Sequence, residues 1–166
     1  IGGILQRLMH KLKPNYITLG PKNRLYNCEI PIIGLTGGIA TGKSTASELL
    51  RKNGLEIIDA DKLVKDIYQE PQTVQFISEI DQKCVNKNAI DFKILRELFF
   101  SNQAIREQIE QFIYDKLPQF FEKESQIIIK NKKANFIIYD VPLLFEKGLE
   151  KLMDFNLLVY SPVEIQ

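Results

Sequence analysis

The sequence predicts an α/β fold: a doubly wound parallel sheet covered by helices, with a helical insertion between its second and third strands. Three observations predict it. Short, largely apolar runs of strand length recur at residues 31–36, 55–58, 135–139 and 155–160. Segments whose apolar residues follow a helical spacing lie between them, the alternation that a parallel sheet requires. The stretch of about 62–130 between the second and third runs has helical periodicity and reads as an insertion of helices. At 166 residues the chain has room for one domain of ordinary size.

The first segment differs in composition from the rest. No acidic residue precedes Glu29, whereas Arg7, Lys11, Lys13, Lys22 and Arg24 are basic, so a boundary is placed near residue 29. Ile1, Ile4, Leu5, Leu8, Met9 and Leu12 keep a helical spacing until Pro14, as in a transit peptide or a membrane-surface helix. The plainer reading, for a chain that begins with Ile, is a poorly ordered basic extension, and residues 1–28 are assigned so. Residues 29–166 form the expected domain. His10, the only histidine, falls in the extension, which argues against a histidine base or a histidine-rich metal site.

The first strand, Pro31 to Thr36, is apolar enough to be buried on both faces and runs directly into Gly37. From there Gly37, Gly38, Ile39, Ala40, Thr41, Gly42, Lys43 and Ser44 match G-x-x-x-x-G-K-[ST], and Thr45 to Lys52 reads as the helix that this phosphate-binding loop requires. The glycines let backbone N–H groups turn inward around phosphate oxygens, and the first helical turn adds unpaired donors at its positive end. Ala40 to Ser44 are expected to line that nest. Lys43 supplies a charge for the β- and γ-phosphates, and the Ser44 hydroxyl suits Mg²⁺ carried in with the nucleotide. Thr45 completes the binding set at the start of the helix.

The second strand, Leu55 to Ile58, ends in Asp59, Ala60 and Asp61. In an open parallel sheet that edge faces the ligand crevice, so one carboxylate is a candidate to accept a hydroxyl proton while the other orients a neighbour. Asp61 is equally suited to cap the following helix. The third strand, Asn135 to Tyr139, ends in Asp140, either a carboxylate near Mg²⁺ or a turn residue. Gln103 to Lys130 reads as one long helix or a pair, with Pro118 a kink or a second start.

Composition limits the partners. Lys plus Arg number 22 against 21 for Asp plus Glu, a net charge of +1 that gives no overall field for nucleic acid. No apolar run approaches the length of a membrane span. Cys28 and Cys84 lie far apart without CxxC spacing, which fits a reducing compartment, the cytoplasm.

GLTGGIATGKST at Gly34 to Thr45, IDAD at Ile58 to Asp61 and DVPLLFEKGL at Asp140 to Leu149 together resemble the dephospho-coenzyme A kinase family of P-loop NTPase-like proteins. The resemblance covers the chain from about Pro31 onward. It implies transfer of the γ-phosphate of ATP, with Mg²⁺, to the 3′-hydroxyl of dephospho-CoA, the last step of coenzyme A synthesis. It implies Asp61 as the base, Lys43 as a catalytic contact to the phosphates, and the insertion with Pro142 to Glu146 as the acceptor side.

Family members continue past the strand at 155–160, so the resemblance also implies that the C-terminal lid is missing from this sequence. A sheet that is incomplete and a chain that catalyses poorly alone are expected. Two departures fall inside the chain: Phe92 follows Ile90 and Asp91 where the family has arginine, and Tyr114 and Asp115 replace a His-Pro pair. Two alternatives stay open. One is another P-loop small-molecule kinase acting on a nucleoside, nucleotide or sugar. The other is a nucleotide switch or a catalytically empty binding module, although the GTPase signature Asn-Lys-x-Asp is not met, since Asn88 and Ala89 follow Asn86 and Lys87.

Overall fold

The computed structural model describes residues 17, 19–38, 40–132 and 134–162. Among them are six strands, β1 (Ile32–Gly37), β2 (Ile57–Asp59), β3 (Val85–Asn86), β4 (Ala89–Ile90), β5 (Ile137–Asp140) and β6 (Phe155–Val159). The five α-helices are α1 (Lys43–Lys52), α2 (Ala60–Tyr68), α3 (Pro71–Ile80), α4 (Phe92–Ser101) and α5 (Gln103–Ile127). The chain divides into two compact units: one of residues up to Ala60 together with those from Glu122 on, and one of Asp61–Phe121.

The first unit is built on a parallel sheet of order β2-β5-β1-β6. β1 is central and apolar because both its faces are covered. On one face Ile33 and Leu35 pack with Phe136 and Ile138, joined by Leu50 of α1 and by Leu55, Ile57, Leu157 and Val159. On the other, Gly34 lies under the segment joining β5 to β6: a Cβ there would collide with the Leu144 side chain and lie 2.9 Å from Asn156 Oδ1 and 3.2 Å from Met153 Cγ. The two faces are therefore covered by different crossovers, the doubly wound arrangement expected from the alternation of strands and helices. α1 leads from β1 to one side of the sheet and the β5–β6 connection leads to the other, so neighbouring β1 and β5 form the switch point where such sheets bind ligands.

The poorly ordered extension expected for 1–28 is corrected for its last part. Pro21–Asn23 and Leu25–Asn27 form short 3₁₀ turns, and Leu25 and Cys28 are buried. Arg24 explains why. Its guanidinium donates to Asp154 from Nε at 2.7 Å and from Nη2 at 3.2 Å, and also to the Leu19 and Glu29 carbonyls. Asp154 in turn accepts from the Ile32 N–H at 3.0 Å, so the pair fastens this segment to the amino ends of β1 and β6. Both side chains are at most 4% exposed, and a pair so buried is expensive to break. The amphipathic stretch of residues 1–14 lies outside the described residues.

The second unit contains the inserted helices. Leu63 and Ile67 on α2, and Ile109, Ile113, Leu117 and Phe121 on α5, are buried at the four-residue spacing of a helix face. Asp91 caps α4 by accepting from Lys93 N and Ile94 N, and Phe76 stacks on Phe112 with centroids 4.0 Å apart. α5 runs through Pro118 as one helix, so no second segment starts there. The insertion also holds a small hairpin, β3–β4, whose turn places Lys87 and Asn88 at positive φ.

Candidate phosphate-binding and active site

The loop leaves β1 at Gly37, where space dictates the residue: a Cβ would stand 2.8 Å from both Thr41 Oγ1 and the Val159 carbonyl oxygen. Thr41 closes the turn by donating its hydroxyl to the Gly38 carbonyl at 2.9 Å. Ala40 holds φ at 60°, an uncommon conformation for a residue with a side chain, and Gly42 holds φ at 85° as the N-cap of α1. That cap has no side chain to satisfy the helix. The Ala46 N–H bonds back to the Gly42 carbonyl, whereas the amides of Lys43, Ser44 and Thr45 precede the first acceptor that a helix can offer. Such donors, together with the positive end of the helix dipole, suit an anion.

Lys43 crosses from this turn to the end of β5, where its Nζ donates to Asp140 Oδ1 at 2.5 Å. Ser47, one turn further along α1 and on the same face, donates its hydroxyl to Asp140 Oδ2. Asp140 is buried at the carboxyl end of β5, and the ladder continues past it with Val141 N–H to the Leu35 carbonyl. Asp140 is thus held at the end of β5 by two donors from α1, Lys43 and Ser47.

Asp59 ends β2 in register with Asp140. Its carboxylate approaches Arg51 at 3.9 Å, both side chains being more than a third exposed, so this pair adds little. Asp61 is exposed, two residues on in the first turn of α2, where the second unit begins. Ser44 and Thr45 are exposed at the head of α1. The structure therefore brings Gly37, Gly38, Ala40, Thr41, Gly42, Lys43, Ser44 and Thr45 into one turn at the switch point.

Sequence reasoning missed Ser47. The available signal was a small hydroxyl residue four positions after Lys43 inside a helix, where serine is otherwise a modest choice. At the two departures, half-exposed Phe92 meets Tyr68 edge-on at 5.3 Å, and Asp115 accepts from Gln111 Nε2 at 2.7 Å. Burial, followed by the Glu110 and Tyr114 charges, pushes the Tyr68 phenol above its usual pKa.

The chain is similar to known proteins. Residues 31–166 match the family described as dephospho-CoA kinase. The chain belongs to the dephospho-CoA kinase family. A dephospho-CoA kinase of Fusobacterium nucleatum is 45% identical over 141 residues, which is 82% of this chain and 70% of that protein. One from Bacillus licheniformis is 33% identical over 138 residues, 81% of this chain and 68% of that protein. Among solved structures, TT1252 from Thermus thermophilus superposes with a TM-score of 0.70 at 29% identity, over 82% of this chain and 68% of that one. The dephospho-CoA kinase of Campylobacter jejuni shares the fold, with a TM-score of 0.59 at 21% identity over 80% and 90% of the two chains. Membership makes the chain a phosphotransferase whose acceptor is dephospho-CoA, in the last step of coenzyme A synthesis. Residues 19–28 precede the region that matches the family, and Arg24 ties them to Asp154 inside it.

Proposed function

We propose that the chain binds ATP with its phosphates against the turn from Gly37 to Thr45 and that Asp61 serves as the base for the 3′-hydroxyl of dephospho-CoA. The observation that carries this reading is the pairing of Lys43 with Asp140 at 2.5 Å directly beside an uncapped helix N-terminus. A lysine on a flexible stem next to open N–H donors is suited to exchange its carboxylate for a phosphate.

The residues present fit Mg²⁺. The Ser44 hydroxyl and the Asp140 carboxylate are hard oxygen donors, the type that this ion takes alongside substrate phosphates. When bound, the ion neutralises charge that develops on the transferring phosphoryl group. The protein's own work is placement. The amides of residues 43–45 and the Lys43 ammonium fix the phosphates, and Asp61 takes the hydroxyl proton as that oxygen forms its bond to the γ-phosphorus. The bond from the γ-phosphorus to the bridging oxygen breaks, and ADP leaves. Little covalent chemistry is asked of the side chains beyond that one proton. The two free buried cysteines support a reducing, cytoplasmic setting for this work.

The test is ADP release with Mg-ATP and dephospho-CoA against adenosine, nucleoside monophosphates and sugars. Selective but slow release with dephospho-CoA is expected. Preference for another acceptor would overturn the acceptor assignment, and ATP binding without release from any acceptor would mark the chain as a binding module.

A further inference from the structure

We propose that Ser47 is a positioning residue of the nucleotide site: it holds the Asp140 carboxylate in place when Lys43 leaves it for a phosphate. The proposal rests on the nucleotide reading given above and deepens it.

Asp140 has two oxygens and two side-chain donors from α1, and the donors differ in kind. Lys43 reaches Oδ1 from the end of a four-carbon stem that is 18% exposed, so it has somewhere else to go. Ser47 reaches Oδ2 from a hydroxyl one carbon away from the helix backbone, at a residue that is 2% exposed. That backbone is pinned by the packing of Leu50 on Ile33 and Leu35. Moving Lys43 therefore leaves Ser47 where it is.

A serine in a helix commonly satisfies its hydroxyl on the carbonyl of the preceding turn, which would make it a purely local feature. Here the hydroxyl is spent instead on a carboxylate 93 residues away. Water is a poor substitute for it, because Asp140 is itself only 5% exposed and a buried carboxylate oxygen left without a donor is costly. With Ser47 in place, Asp140 keeps one oxygen anchored and presents the other beside Lys43 and the head of α1. There its oxygen is placed to serve a cation that enters with the nucleotide. Without Ser47 the carboxylate is free to rotate, and the cost falls on the cation-dependent part of binding.

The experiment is calorimetric titration of the full chain with the β,γ-imido analogue of ATP, once with Mg²⁺ and once with EDTA, for the parent and for Ser47→Ala and Ser47→Thr. Ser47→Ala is expected to weaken binding about tenfold with Mg²⁺, the scale of one lost charge-assisted hydrogen bond, and to leave EDTA binding within about twofold. Ser47→Thr, which restores the hydroxyl, is expected to recover most of the Mg²⁺-dependent affinity. If Ser47→Ala does not fold by circular dichroism, Ser47→Cys keeps the volume with a weaker donor and is expected to show the same split on a smaller scale. Equal loss with and without Mg²⁺, or no loss in a folded variant, overturns the role of Ser47. A parent chain that binds the analogue under neither condition overturns the nucleotide reading itself, so the two failures are distinguishable.

Discussion

Asp59 and Asp140 stand opposite each other in register at the carboxyl ends of adjacent parallel strands, yet their surroundings differ. Asp140 is buried and takes Lys43 and Ser47, whereas Asp59 sits at the surface near Arg51. The difference comes from α1, whose first turns face β5 while its last turn reaches β2. Of the two carboxylates, the one at the switch point is the one coupled to the loop lysine.

Lys43→Ala follows from that coupling. It removes the point charge from the turn and deprives the buried Asp140 of one donor. Affinity for the ATP analogue is expected to fall at least tenfold, because a charge-assisted contact is worth about 1.5–3 kcal/mol. Thermal stability is expected to fall by only a few degrees, since Ser47 still holds the carboxylate. Titration calorimetry and a melting curve check both, and unchanged affinity would remove Lys43 from the site.

Arg24→Met tests whether the segment ahead of the family-matching region belongs to the folded unit. It strands Asp154 as an unpaired charge with side-chain exposure of 2%. Breaking such a pair costs about 3–5 kcal/mol, a fall of roughly 10 °C in a domain of this size. Adding Asp154→Asn neutralises the stranded charge and leaves an acceptor for the Ile32 N–H, so the double variant is expected to be more stable than Arg24→Met alone. Purely additive losses in the cycle would mean that the clasp contributes no coupling.

Gly34→Ala places a methyl group against Leu144 and close to Met153 and Asn156. The connection that covers this face has to shift, and overpacking of this kind costs about 1–3 kcal/mol. A lower midpoint in urea with an unchanged slope is expected. An unchanged midpoint would show that the Leu144 side chain yields freely.

Burial raises the pKa of the Cys28 thiol above its ordinary value of 9.0, against smaller opposing effects from the Ile30 backbone and Arg24. The sign of the pH effect follows. Well below pH 9 the folded and unfolded chains both hold the proton, and this thiol's contribution is fully present. Above it the unfolded thiol ionises first, so stability falls as pH rises toward the folded value. Cys28→Ala is expected to flatten the melting temperature above pH 9, which melts taken between pH 7 and 10 would reveal. Alkylation by iodoacetamide at pH 8 is expected to be slow at Cys28, and also at Cys84, whose pKa burial raises in the same direction.

Much of this was legible in the sequence because its signals are local. The spacing of Gly37, Gly42 and Lys43 specifies a turn and a helix start within eight residues, and the run from Asn135 to Tyr139 announces a buried strand, which the structure begins at Ile137. What stayed hidden is held by partners far along the chain: Ser47 with Asp140, and Arg24 with Asp154 across 130 residues. One sequence carries no periodicity that reports such pairs, and a basic segment without acids resembles a tail until its partner is seen. The hairpin at Val85–Asn86 and Ala89–Ile90 was hidden for another reason, since two-residue strands are too short to show alternation.

Asp61→Asn tests the remaining assignment, and it separates binding from chemistry. Asp61 is exposed and lies outside the turn from Gly37 to Thr45, so the change is expected to leave affinity for the ATP analogue within about twofold. A general base contributes roughly 10²–10⁴-fold, so kcat for dephospho-CoA phosphorylation is expected to drop by that range with little change in KM. Asp59→Asn is the control: its neighbour Arg51 is a surface partner, and a loss well below that of Asp61→Asn is expected. If instead Asp59→Asn abolished turnover and Asp61→Asn did not, the proton would go to the carboxylate that ends β2. Asp61 would then be left as a first-turn residue of α2 that favours the helix dipole.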